Sequence, residues 1–433
     1  MSPEHIGFIG IFAVLVLIAV GIHIPFALIL VGFIGSWLIT GPNAILGNMG
    51  IIPFTVTNSY HFSIIPLFLF MSSLVALTGI GREAYDTARA WIGQIRGGLA
   101  MATIGACGLF AATSGSSMAC SVAMGKIAYP EMKRAGYKDT LSSGCIAAGG
   151  TLGILIPPSI SFVIVGIIME VSIGKLFLAG ILPGITSIVF YFATIYILCK
   201  INPSLGPAGP RTSLKEKIQS FRLTWPITLL FIVIMGGIYL GVFTATEAGG
   251  IGSFGALVIG LCRRKLNRLQ FIESLKETML TTIMILFLLI GAFVFMHFLA
   301  VSRIPFIASQ SISALPVSRH LILIALLFIY LLLGMFFDVM SIIVLTTPII
   351  LPTIIELDFN LIWYGVLLVR IAEVGFVTPP FGLNIFALAG SIDAPLESLH
   401  RGVFPFVITD VLHIALLMAV PALSLFLPEM MVG

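Results

Sequence analysis

Apolar residues run nearly unbroken for about 20 positions at a time along most of this chain, the length a helix needs to cross a bilayer. Such runs predict membrane spans near 4–20, 24–40, 62–80, 140–170, 176–200, 223–241, 244–262, 277–299, 361–390 and 403–427. Two further stretches, about 98–130 and 320–352, are equally apolar but interrupted at their middles. One carries Thr113-Ser114-Gly115-Ser116-Ser117 there, the other Gly334-Met335-Phe336-Phe337-Asp338. That pattern predicts either a kinked span or a re-entrant hairpin that returns to the side it left. Residues 82–96 and 303–318 are amphipathic and precede the two interrupted stretches at matching places, as interfacial helices lying along a membrane would. Residues 201–222, with Asn202-Pro203, Gly206-Pro207 and Gly209-Pro210 followed by basic residues, read as a linker between two halves.

The halves echo one another. Pro130, Gly153, Pro157, Pro158, Gly180 and Pro183 recur as Pro352, Gly375, Pro379, Pro380, Gly402 and Pro405, each 222 positions later. The Pro-Pro pairs fall inside stretches apolar enough to be membrane helices. Proline removes a backbone donor and clashes with the preceding turn, so a double proline breaks a helix. Lipid tolerates such a break only where it is buried in protein or faces a polar cavity. Paired breaks at corresponding places of two halves point to a transporter's binding site.

Composition narrows the field. The chain has 433 residues, of which 59% are hydrophobic and 9% charged, with a mean hydropathy of +1.15. A soluble domain carries about 25% charged residues, so this composition predicts a polytopic membrane protein. The start, Met1-Ser2-Pro3-Glu4-His5, lacks the basic leader of a cleavable signal. Cys107, Cys120, Cys145, Cys199 and Cys262 are scattered without a CxxC pair, and read as packing residues rather than a metal or disulfide framework. A net charge of +4 is set here by topology and carries no nucleic-acid signal.

Topology follows from the positive-inside rule. With both interrupted stretches as hairpins and 81–97 in the cytoplasm, 18 of the 22 Lys and Arg fall on the cytoplasmic side. Lys175, Arg303 and Arg319 are left outside and Arg370 lies within a span. Making either stretch a full crossing flips every later loop and spoils the segregation. The first hairpin then enters from the cytoplasm and the second from outside. The expected fold is therefore an all-α polytopic membrane protein of two inverted repeats, 1–200 and 223–433, joined by the linker at 201–222. Each repeat supplies scaffold helices, a re-entrant hairpin and a broken helix.

A hairpin tip and a broken helix expose backbone carbonyls that no helical bond satisfies, and a hard cation binds such oxygens. In the first half these come from Ser114, Gly115, Ser116 and the Gly149–Gly153 run; in the second from Phe337, Asp338 and Gly375–Thr378. Hydroxyls of Ser114, Ser116 and Thr378 would complete a sodium shell. The competing reading is that Ser and Gly simply let membrane helices pack closely. Helix N-termini just after the breaks, at Ser159-Ile160 and Phe381-Gly382, offer free N–H groups to an anionic substrate. Asn384 is placed to hydrogen-bond a carboxylate or hydroxyl, or else to cap and pack. Among intramembrane charges, functional candidates by default, Asp338 is the expected cation ligand or proton carrier. Arg370 and Glu373, three apart on one helix, are expected to neutralise each other. Glu247 reads as a packing residue near a span's outer end. Arg303 reads as a carboxylate-binding residue or an interfacial anchor, and His297 and His413 as isolated packing histidines. An intramembrane protease using Ser114 or Ser116 with a histidine base gives no reason for the duplicated Pro-Pro breaks, so no enzymatic activity is expected.

Three strings, Ser114-to-Tyr137, Gly149-to-Ser159 and Glu373-Val-Gly-Phe-Val-Thr-Pro-Pro-Phe-Gly-Leu-Asn384, resemble the large membrane subunit of tripartite ATP-independent periplasmic (TRAP) transporters, and the likeness runs nearly end to end. The resemblance implies an inner-membrane permease driven by a sodium gradient and moving as an elevator. It implies a small four-helix membrane subunit, here expected as a separate chain, and a periplasmic binding protein that delivers an organic acid. Carried over by position, one sodium site uses Ser114, Ser116, Gly153 and Ile156, the last two mainly through carbonyls; the other uses Asp338, Gly375 and Thr378. Arg303 matches a position associated with the substrate carboxylate, so Ser159, Arg303 and Asn384 are the expected substrate contacts. Cys120 departs from the family pattern, where an acidic residue or threonine is common. A stand-alone sodium/dicarboxylate symporter of related inverted-repeat design is the alternative.

Overall fold

The apolar runs become helices, most of them ending at a glycine, a proline or a capping side chain. The computed structural model describes residues 1–431, with the side chains of 112–114 outside that description. Among the described residues the regular elements are all helical. The first half contains α1 (Pro3–Ala19), α2 (Ile24–Thr40), α3 (Pro42–Asn58), α4 (Ile64–Leu77), α5 (Ile80–Ile92), α6 (Gly98–Ser114), α7 (Ser117–Arg134), α8 (Asp139–Gly150), α9 (Leu152–Leu155), α10 (Ile160–Ile168) and α11 (Ile173–Ile201). The second contains α12 (Leu214–Tyr239), α13 (Ala245–Cys262), α14 (Arg268–Ser302), α15 (Ile304–Ser313), α16 (Arg319–Gly334), α17 (Val339–Glu356), α18 (Leu361–Val377), α19 (Leu383–Ala389), α20 (Leu396–Ala419) and α21 (Ala422–Glu429). Seven helices among the described residues are long and apolar enough to cross a membrane, and the pair Asp139–Leu155 with Ile160–Ile168, bent by 45°, makes an eighth candidate.

The interrupted stretches are helix–turn–helix units, α6–α7 and α16–α17. Element boundaries coincide under the repeat of the sequence: Ser117–Arg134 and Val339–Glu356 lie 222 positions apart at both ends. The first of each pair of broken spans runs to Leu155 in one half and Val377 in the other, again 222 apart. Amphipathic α5 and α15 precede the two units where expected. Three elements differ from the pattern. α3 forms over a stretch too polar to predict as a span, and its Asn48 side-chain amide lies 3.0 Å from His297 Nε2. The last predicted span, 403–427, is instead α20 and α21, separated at Val420–Pro421 because proline cannot continue the ladder. The linker is shorter than 201–222, since a capping box of Ser213 and Glu216 starts α12 at Leu214.

The halves are intertwined rather than side by side. α10 of the first half packs on α17 of the second, and α19 of the second packs on α7 of the first. α8 meets α20 backbone to backbone: a Cβ on Gly144 would stand 2.1 Å from the Gly402 carbonyl oxygen, and one on Gly402 would stand 2.0 Å from that of Thr140. The linker is strapped down by its own backbone. Gly97 N–H donates to the Gly206 carbonyl (2.9 Å), Lys138 N–H to that of Leu205 (3.1 Å) and Gly209 N–H to that of Gly93 (3.1 Å). Nearby, α5 exchanges charge with both sides: Arg82 and Arg89 pair with Glu131 of α7, while Glu83 pairs with Arg263 and Lys265 after α13.

Candidate ion and substrate site

The centre of each half is a hairpin tip seated on a proline break. A helical carbonyl at position i expects the N–H at i+4; Pro157 and Pro158 withhold it from Gly153 and Ile154, and Pro379 and Pro380 from Gly375 and Phe376. The chain leaves helical geometry there, with Ile156 (ψ 122°) and Thr378 (ψ 128°) extended. Helix resumes at α10, where the buried Ser159 hydroxyl accepts from Phe162 N–H (3.4 Å), and at α19 after Gly382. Both Pro-Pro bonds are cis.

The tips are built alike. Ser116 caps α7 by accepting Ala119 N–H (3.4 Å), and Asp338, 222 positions on, caps α17 by accepting Ser341 N–H (3.1 Å) and the Ser341 hydroxyl. Gly115 turns the first tip at φ 58°, a conformation that favours glycine. The structure brings Ser116 onto Gly153: a Cβ at 153 would stand 2.9 Å from the Ser116 carbonyl oxygen. A Cβ at Gly115 would likewise meet the Pro158 carbonyl oxygen at 3.4 Å. In the second half a Cβ at Gly375 would meet the Gly334 Cα at 2.6 Å, and the Phe336 and Phe381 rings lie 4.7 Å apart. Thr378 N–H returns to the Gly375 carbonyl (3.0 Å), and its hydroxyl to that of Val374. The side chain of Ser114 lies outside the described residues. The first tip and break carry hydroxyl and carbonyl oxygens, and the second tip adds the Asp338 carboxylate, donor types that a hard cation takes.

The expected substrate contacts do not gather in the same way. Arg303, at the end of α14 with φ 61°, is exposed and lines a cavity of about 780 Å³ with Ser309, Gln310, Pro348, Pro352 and Glu356. That cavity includes neither Ser159 nor Asn384. Asn384 is buried and cross-links the halves, donating to Ser121 Oγ (2.9 Å) and the Ala147 carbonyl (3.1 Å).

The intramembrane charges are paired otherwise than expected. Arg370 and Glu373 do not neutralise each other by direct contact. Arg370 pairs with Asp410 of α20, a residue that sequence reasoning passed over although it lies in an apolar span by the rule that flagged Arg370. Its guanidinium also donates to Ser187 Oγ (3.0 Å), Tyr191 Oη (3.2 Å) and Thr151 Oγ1 (3.3 Å). Glu373 accepts from the Ser117 hydroxyl (2.8 Å). All four of Arg370, Glu373, Asp410 and Asn384 are fully buried. Glu247 is exposed and closes a capping box with Thr244 rather than packing, and His413 is not isolated: its Nε2 lies 2.9 Å from Thr186 Oγ1 of the first half.

A many-helix membrane protein with broken helices at its centre is the architecture of a secondary transporter. The fold resembles that of the Alcanivorax borkumensis YdaH transporter, with a TM-score of 0.58 at 15% identity over 87% of each chain. At the sequence level, residues 9–423 match the family described as Tripartite ATP-independent periplasmic transporter, DctM component. The chain is 36% identical over 377 residues to the C4-dicarboxylate TRAP transporter large permease protein DctM of Pseudomonas aeruginosa, covering 87% of this chain and 88% of that one. It is 31% identical over 376 residues to the isethionate TRAP transporter permease protein DctMQ of Oleidesulfovibrio alaskensis, covering 87% of this chain and 59% of that protein. The chain belongs to the DctM family of TRAP transporters and is a multi-pass membrane protein.

Proposed function

We propose that this chain is the subunit through which a small organic acid anion enters the cell across the bacterial inner membrane, driven by sodium. Sodium ions occupy the two junctions, one at Ser114, Ser116, Gly153 and Ile156 and the other at Asp338, Gly375 and Thr378. The substrate binds between the hairpin tips, and the hairpins and broken helices then slide as an elevator against the scaffold helices. A small membrane subunit, as a separate chain, braces the scaffold, and a periplasmic binding protein delivers the substrate. The observation that carries this reading is the seating of both hairpin tips on proline breaks in one sequence frame. C4-dicarboxylate and isethionate in the relatives' names support the substrate class, an organic anion, without choosing within it.

Uptake by the complete transporter in proteoliposomes tests the reading. It should require inward sodium, and Ser116→Ala or Asp338→Ala should each raise half-saturating sodium by about tenfold, the equivalent of some 1.4 kcal/mol. An unchanged sodium response in both variants would overturn the ion assignment. The ligand that co-purifies with the binding protein names the substrate.

A further inference from the structure

We infer that Glu373 and Arg370 are positioning residues through which α18, the helix that ends in the second ion junction, holds the first junction in shape. The inference rests on the two-junction reading above and adds a physical tie between the junctions. Glu373 stands two residues before Gly375. Its carboxylate accepts the hydroxyl proton of Ser117, the first residue of α7 and the neighbour of Ser116 at the first tip, at 2.8 Å. Arg370 lies one turn earlier, on the same helix face. It donates to the Thr151 hydroxyl at 3.3 Å, and Thr151 joins α8 to α9 two residues before Gly153. Both walls of the first junction, tip and break, are thus hydrogen-bonded to α18. The two anchor points lie within about 7.5 Å of Gly375 along the helix axis, at 1.5 Å per residue.

Packing alone does not account for this arrangement. A carboxylate and a guanidinium, both fully buried, are costly within a membrane. Close helix packing would be served by the glycines and alanines already abundant there. Asp410 answers the charge of Arg370 but leaves Glu373 with Ser117 as its partner; Glu373 Oε1 has none among the described residues. What the two side chains share is their target: each reaches across from the second half to a hydroxyl beside a candidate ligand of the first. A change in the end of α18 on occupying the second junction is transmitted to Ser117 and Thr151 through these two hydrogen bonds. The two ions then bind cooperatively.

The test uses the complete transporter, purified and in proteoliposomes, with sodium binding read as the sodium-dependent rise of the unfolding temperature and uptake read separately. Ser117→Ala and Glu373→Ala should each raise the sodium midpoint about fivefold, the loss of one buried hydrogen bond. Both should also flatten the sodium curve. The double variant should be no worse than either single one, because both delete the same bond. Glu373→Gln, which keeps an acceptor for Ser117, should recover most of the midpoint, and Thr151→Ser should behave as wild type where Thr151→Val does not. Additive effects of the two alanines, or a Glu373→Gln variant as impaired as Glu373→Ala, would overturn the tie. Asp338→Ala serves as the control: if it shifts sodium binding while Ser117→Ala does not, the tie fails alone. If neither shifts it, the two-junction reading fails first.

Discussion

At position 153 a side chain would have to share space with the peptide of Ser116, since a Cβ there would stand 2.9 Å from the carbonyl oxygen. Glycine is therefore what allows tip and break to meet, and Gly153→Ala should push them apart. The expected result is a protein that folds but shows a weaker sodium-dependent rise in unfolding temperature than wild type. The buried pair Arg370–Asp410 answers to a different balance. Removing one partner leaves an uncompensated charge, which costs about 3–5 kcal/mol, whereas replacing both with apolar residues of similar volume is close to neutral. Arg370→Met alone should lower the unfolding temperature sharply, and Arg370→Met with Asp410→Leu should recover much of it while losing the contact to Thr151. Thermal unfolding of the single and double variants checks this; equal losses in both would count against ion pairing as the source of stability.

Among the elements, the broken spans matter most, and their behaviour follows from what proline withholds. Pro157→Ala returns an N–H that can close onto the Gly153 carbonyl and favours a continuous helix through the break. Pro379→Ala likewise restores an i+4 donor to the Gly375 carbonyl, which otherwise accepts only the closer N–H of Thr378 (3.0 Å). Each variant should weaken the sodium response of uptake, with overall helix content by circular dichroism unchanged or slightly raised. A full sodium response from both variants would mean that the freed carbonyls play no part. The hairpin arms α7 and α17 show how the same element is completed differently in the two halves. Serine caps one and aspartate the other, at equivalent positions, so only the second tip brings its own charge.

For the molecule as a whole, orientation across the membrane is the property that the lysine and arginine distribution predicts. Ser204 and Leu315 are exposed, one in the linker and the other ahead of the second hairpin. In a variant lacking the exposed Cys262, Ser204→Cys should be labelled by a membrane-impermeant thiol reagent only from the cytoplasm, and Leu315→Cys only from outside. Labelling of both from one side would remove the inverted arrangement of the halves.

The sequence by itself determined the all-helical membrane class, and it marked where the two helix–turn–helix units and the two proline breaks fall, at a common spacing of 222. Those features depend on local matters: apolar length, the missing N–H of proline and the conformational freedom of glycine. It missed α3, whose polar residues hide a helix from a hydropathy pattern, and misjudged the pairing of Arg370, because a helix neighbour three residues away is visible in sequence and Asp410 is not. Tertiary structure alone decided that α10 lies on α17 and α19 on α7. It alone decided that Asn384 is spent on joining the halves, and that Glu373 reaches the tip of the other hairpin. These are long-range contacts, and which buried polar group finds which partner depends on how the helices cross, a quantity that no stretch of local sequence encodes.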